Sequence, residues 1–86
     1  MRDNWFKMIN ESMVFKNDSW SNVEQNTMTD EDMNLMFDTG FGHTEGIPFT
    51  VWTHDFIYFP VCYDGREWVG SVSRNPDGKP TYHFGS

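Results

Sequence analysis

The chain has 86 residues with eight Phe, four Trp and three Tyr, and its formal net charge is −7. This length predicts a single domain, residues 1–86, in which each aromatic side chain can bury roughly 150–250 Å². The one cysteine excludes an internal disulfide, and no apolar run approaches the ~20 residues that span a bilayer, so we expect a cytoplasmic protein without a membrane partner.

Acidic and basic residues are unevenly distributed along the chain. No Lys or Arg lies between Asn17 and Asp64, whereas that segment contains many carboxylates. This distribution argues against nucleic acid as a direct ligand, because phosphate binding requires clustered cations, and it favours a basic protein as partner. Solubility alone also explains it, since a net charge keeps small proteins dispersed.

The N-terminal segment predicts one short helix. Trp5, Met8 and Ile9 recur at helical spacing, which favours a helix over about residues 4–11. We expect a short extended piece after it, because Met13–Phe15 is also compatible with the start of a strand.

Two further segments predict loops that each carry one aromatic side chain. Residues 16–28 are rich in Asn and Ser, which favour turns, and contain Trp20. Residues 38–47 are rich in glycine but lack the lysine of a phosphate-binding loop, and contain Phe41. Each aromatic side chain either packs into the core or anchors a partner.

The segment between these loops, residues 29–37, predicts a second helix. Thr29 is a good N-cap, and Asp30, Glu31 and Asp32 fall in the first turn, where the helix dipole favours anions. An apolar stripe follows at Met33, Met36 and Phe37. We interpret the stripe as core and the acidic first turn as part of a binding face.

Residues 48–74 predict three antiparallel strands joined by tight turns. The Asp64-Gly65 pair favours a type I′ hairpin, which sets Tyr63 opposite Arg66. The predicted fold class is therefore α+β, a three- to four-stranded antiparallel meander with one or two short helices. Residues 81–84 form either a brief fourth strand or an ordered tail, and Pro60 predicts a bulge if its strand lies in the middle.

Both faces of this predicted sheet are apolar. The hairpin register places one set of side chains together, which we predict to be the core face: Ile57, Phe59, Val61, Trp68 and Val72. The opposite face carries Phe49, Val51, Phe56, Tyr58, Pro60 and Val69. A sheet that is apolar on both faces is either covered twice or exposes one face for dimerisation.

No residue pattern in the chain predicts catalysis. Cys62 has no histidine nearby in the sequence, and the hairpin register places it opposite Glu67, whose negative charge does not favour a reactive thiolate. The histidines and Cys62 match no zinc-ligand spacing. We therefore predict that the chain is not an enzyme and binds no metal or cofactor. A small-ligand site in the glycine-rich loop stays an alternative.

The block GIPFTVWTHDFIYFPVCYDGREWVGSVSRNP, together with the preceding FDTGFG, resembles small uncharacterised proteins encoded by bacteriophages and prophages. In size, charge and aromatic content the chain is similar to anti-CRISPR and related anti-defence proteins. The resemblance implies a host bacterial cytoplasm and a basic host protein as partner, either a nucleic-acid-binding protein or a CRISPR-Cas component. It transfers no site residue.

We predict a non-enzymatic, phage-type inhibitor that binds a host nucleic-acid-handling or defence protein. Its carboxylates would replace phosphates in a basic groove, and aromatic side chains would anchor the contact. The predicted partner-binding residues are Asp30, Glu31, Asp32, Asp38, Glu45, Trp20 and Phe41. The alternative is a small structural or assembly module that dimerises through an apolar sheet face, and the predicted state is a monomer or a homodimer.

Overall fold

The computed structural model describes residues 2–39 and 44–84. It contains two α-helices and six strands, in the order β1 Arg2–Asp3, α1 Trp5–Phe15, β2 Val23–Asn26, α2 Asp30–Asn34, β3 Phe37–Asp38, β4 Val51–Thr53, β5 Phe56–Tyr63 and β6 Arg66–Ser73. A four-stranded antiparallel sheet has the order β2-β4-β5-β6, and β1 pairs with β3. The α+β class and the antiparallel sheet are confirmed.

The β5–β6 hairpin has the predicted register at every pair, from Tyr63 opposite Arg66 to Phe56 opposite Ser73. Both turn residues adopt positive φ, 51° at Asp64 and 79° at Gly65, as a type I′ turn requires. Local turn chemistry therefore fixes the longest strand pair of the fold.

The predicted bulge at Pro60 is wrong, because the register continues through Pro60 opposite Val69. The amide of Arg74 donates to the carbonyl of Asp55, so the odd-numbered residues of β5 lie in the hydrogen-bonded pairs with β6. Pro60 therefore points its nitrogen towards the β4 side. The β4–β5 pairing extends only to Tyr58, so no ladder bond is lost.

Helix α1 is longer than predicted and packs on the sheet. It continues to Phe15, so the extended piece expected at Met13–Phe15 is wrong. Asn4 caps it by accepting a hydrogen bond from the Lys7 amide at 2.8 Å. Three buried side chains, Trp5, Ile9 and Met13, form its inner face.

The core lies on the sheet face opposite to the predicted one. Val51 and Tyr58 are fully buried beneath α1, together with Phe49. Trp68, on the face predicted as core, is 37% exposed, although Val61 on that face is buried. The prediction is wrong because both faces are apolar, and only the docking of Trp5 and its helix decides between them.

Two other predictions need correction, one for the loop at residues 16–28 and one for the segment at residues 81–84. The predicted loop over residues 16–28 contains β2, which pairs with β4 from Val23 to Asn26. Of the two alternatives for residues 81–84, a fourth strand or an ordered tail, the strand is absent. Instead, Phe84 contacts the ring of Phe59 edge-on at 5.3 Å on the outer sheet face. Helix α2 packs against α1, so the outer face is covered by no helix of the described chain.

Candidate functional site

The acidic turn of α2 is rigidly capped. Thr29 Oγ1 accepts a hydrogen bond from the Asp32 amide, and Asp32 Oδ2 accepts one from the Thr29 amide, each at 3.1 Å. This reciprocal pair is a capping box, and it occupies part of the Asp32 carboxylate. Asp30 and Glu31 are exposed, and no cation among the described residues pairs with them. These two carboxylates are therefore available to a partner.

Asp38 and Glu45 meet at the ends of the glycine-rich loop. The Asp38 amide lies 3.5 Å from Glu45 Oε1 and donates to it. The buried Glu67 carboxylate accepts from the amides of Glu45 and Gly46, at 2.9 Å each. Glu67 thereby fixes the chain that follows the loop. The structure brings Asp38 and Glu45 together, whereas Phe41 lies outside the described residues.

Trp20 packs against α1. Its ring stacks on Phe6 with centroids 5.3 Å apart and an interplanar angle of 12°, and its Nε1 donates to Asn10 Oδ1 at 3.1 Å. The side chain is half-buried and contacts the edge of the core. Trp20 therefore supports the fold, and a role as a partner anchor stays a prediction.

Asp18 belongs to a partly buried polar cluster that sequence reasoning missed. Its Oδ2 accepts from Thr53 Oγ1 and from the Tyr58 hydroxyl, each at 2.7 Å, and its Oδ1 accepts from the Ser19 amide and Asn22 Nδ2. Burial raises the pKa of Asp18, but these four hydrogen bonds outweigh it and bring the pKa below its ordinary value.

The pKa of Tyr58, whose hydroxyl donates to Asp18, shifts in the opposite direction. Burial, the hydrogen bond to Asp18 and the charge of Asp18 together raise the pKa of Tyr58 well above its ordinary value. Tyr58 and Thr53 lie 40 and 35 residues from Asp18 in the sequence, so no local pattern could have predicted the cluster. Asp18 is a structural residue.

Glu24 is also neutralised within the fold. It pairs with Arg74, and His54 Nε2 lies 3.4 Å from its carboxylate. The hydrogen bond from Arg74 lowers the pKa of Glu24. The acidic segment therefore contains two kinds of carboxylate. Asp18 and Glu24 have partners within the fold, whereas Asp30 and Glu31 are exposed and have no cationic partner among the described residues.

The described residues form neither a cluster of metal ligands nor a membrane-spanning helix. Within residues 2–39 and 44–84, no three His, Cys, Asp or Glu side chains are grouped so that they could hold a metal ion. No helix in those ranges is both long and apolar enough to cross a bilayer. Cys62 is exposed, with Thr44 Oγ1 at 3.2 Å from its sulfur.

Comparison with known proteins finds no family model, curated protein or solved structure that matches the chain.

Proposed function

We propose that this protein is a non-enzymatic inhibitor that presents carboxylates to the basic groove of a nucleic-acid-handling protein. The observation that carries the proposal is the pair Asp30 and Glu31. They are adjacent and exposed, they lie on a capped helical turn, and they have no cationic partner among the residues described. Because the capped turn fixes the backbone of both residues, their uncompensated charges can replace two phosphates while only their side chains have to be ordered.

The net charge of −7 supports the same proposal, because it steers the protein towards basic partners before contact. The setting follows from the resemblance to phage proteins: a bacterial cytoplasm, with a host defence protein such as a CRISPR-Cas component as the partner. Asp38 and Glu45, at the ends of the glycine-rich loop, are further predicted contacts, together with Asp32, Trp20 and Phe41.

Neutralising the free carboxylates of α2 should weaken partner capture. In the double variant Asp30→Asn/Glu31→Gln, each lost charge removes about 0.5 kcal/mol, so affinity should fall about fivefold. The measurement is capture of basic proteins from a bacterial lysate on the immobilised chain, followed by titration of the captured protein. Added double-stranded DNA should displace it, and capture should fall at about 1 M salt, where the Debye length is about 3 Å.

The matched control is Asp55→Asn/Asp64→Asn, which removes the same charge from exposed positions in the sheet turns. Asp32 is left intact in both variants because its carboxylate belongs to the capping box. Equal weakening by the two double variants would show that net charge alone matters. Capture that survives DNA would rule out phosphate replacement.

The outer sheet face favours a second candidate, the assembly module. The face with Val51 and Tyr58 is covered by α1, so dimerisation through that face is excluded, but Trp68 is exposed on the other face. Under this alternative, sedimentation equilibrium gives twice 10.1 kDa, and Trp68→Glu restores 10.1 kDa. A species of 10.1 kDa at every concentration excludes it.

A further inference from the structure

Strand β6 is the edge strand of the four-stranded sheet, and no strand of the described chain pairs with its outer side. Because odd-numbered residues of β5 occupy the hydrogen-bonded pairs, the amides and carbonyls of Val69, Ser71 and Ser73 point away from β5. Glu67 confirms this direction, since its amide lies 3.4 Å from the Thr39 carbonyl on that outer side. Within the described residues, no backbone group pairs with the outer edge from Val69 to Ser73.

The sequence of this edge lacks the usual protection against strand addition. Natural edge strands carry charges, Pro or bulges that prevent another strand from pairing. The stretch WVGSVS between Glu67 and Arg74 contains none of them, and its pairing with β5 has no register shift. The edge is therefore a template for a further extended chain.

Two walls turn this edge into a groove, the α1–β6 groove, with a volume of about 860 Å³. The C-terminal turns of α1 form one wall with Ser12, Phe15 and Lys16, and residues 75–84 form the other. Phe15 is 86% exposed and Tyr82 is 88% exposed, one on each wall. Side chains of an extended chain alternate between two sides, so a bound strand would meet both aromatic rings.

We propose that the α1–β6 groove binds an extended peptide segment of a partner protein, which adds as a fifth strand through Val69, Ser71 and Ser73. The walls argue against a second copy of this chain. Strands pair about 4.8 Å apart, whereas helix axes need about 8–10 Å. Because α1 packs against β6, pairing two copies edge to edge would force their α1 helices together.

The charge of the groove defines the peptide. Lys16 and Lys79 line it against a single carboxylate, Asp77, in a chain that has only six Lys and Arg. Arg74 also lines the groove, but its guanidinium is paired with Glu24 and is not counted as a free charge. Lys16 is held beside the groove with Nζ 5.7 Å from the centre of the Phe56 ring. The groove therefore suits a peptide with acidic side chains, the opposite sign to the partner surface proposed for Asp30 and Glu31.

The test uses a displayed library of random peptides selected on the full wild-type chain, with binding mapped by amide shifts of ¹⁵N-labelled protein. We expect enrichment of β-prone peptides with alternating Asp or Glu, and shifts at Val69, Ser71 and Ser73. Ser71→Pro should weaken binding at least about tenfold, because it removes an outward donor without breaking a bond to β5. Ser71→Ala, which keeps the donor, should bind like wild type.

A second variant keeps the test decisive if Ser71→Pro does not fold. Lys16→Glu changes an exposed side chain and should weaken the acidic peptides about fivefold, whereas Asp30→Asn/Glu31→Gln should leave them unaffected. No enrichment, shifts confined to other residues, or equal binding by Ser71→Pro and wild type would overturn the proposal. Self-association of the chain through these same amides would also overturn it.

Discussion

Replacing Trp5 with alanine should destabilise the fold by about 4 kcal/mol, the usual cost of deleting a fully buried Trp side chain. Trp5 is 1% exposed, and the centroid of its ring lies 4.8 Å from that of Phe49 and 4.9 Å from that of Phe37. Its Nε1 donates to the Ile47 carbonyl at 3.0 Å, so the alanine variant also leaves that acceptor unpaired. Urea unfolding at neutral pH measures the loss.

Trp68→Ala is the matched control, because it deletes the same side chain from the outer sheet face. Trp68 is 37% exposed and no helix of the described chain covers it, so its loss should cost about 1 kcal/mol. A larger cost for Trp68 than for Trp5, with an unfolding midpoint that does not depend on protein concentration, would show that the core lies on the other face of the sheet. A dimer through the outer face would also raise the cost of Trp68→Ala, and it would make the midpoint depend on protein concentration.

The β5–β6 hairpin could be predicted residue by residue because its determinants are local. An Asp-Gly pair accepts two positive φ values, and the side-chain period of two then sets every later pair. The same local chemistry predicts the cap of α2, where Thr29 and Asp32 satisfy each other's amides. These elements need no information from distant parts of the chain.

The choice of core face could not be predicted in the same way. The alternation of side chains along a strand assigns each residue to one of the two sheet faces. It identifies the face that packs into the core only when the other face is polar. Here both faces are apolar, and the decision depends on Trp5, more than 40 residues upstream of β4. Strand β2 was missed for a related reason, since Val23–Asn26 is polar and is held by pairing with Val51–Thr53 rather than by its own propensity.

The candidate site was partly predictable for the same physical reason. The position of Asp30 and Glu31 on a helical turn follows from the local sequence, and the structure confirms that they are exposed. Counting carboxylates could not show that Glu24 is paired with Arg74, 50 residues later. The carboxylate count also could not show that Asp18 is hydrogen-bonded to Thr53 and Tyr58 in the core. The number of carboxylates that are free to bind a partner is therefore smaller than the number in the acidic segment.

Replacing Asp18 with alanine should cost about 3 kcal/mol of unfolding free energy at pH 7. The variant leaves the fully buried Tyr58 hydroxyl without its acceptor, whereas the Thr53 hydroxyl can still donate to the Phe56 carbonyl at 3.3 Å. Leaving a buried donor unsatisfied costs about 1–3 kcal/mol, more when its partner is charged. Asp55→Ala, an exposed carboxylate without such partners, should change stability by less than about 0.5 kcal/mol.

The pH dependence distinguishes a charged acceptor from simple packing. The pKa of Asp18 is lower in the folded state than its ordinary value of 3.8, so its ionised form stabilises the fold above that value. This stabilisation disappears as the pH falls through the lower, folded-state pKa. The stability difference between wild type and Asp18→Asn should therefore be largest near pH 7 and shrink below about pH 4. A stability difference between wild type and Asp18→Asn that stays constant from pH 7 to about pH 2 would show that Asp18 acts through its shape rather than its charge. The hydroxyls of Thr53 and Tyr58 would then not require an ionised acceptor.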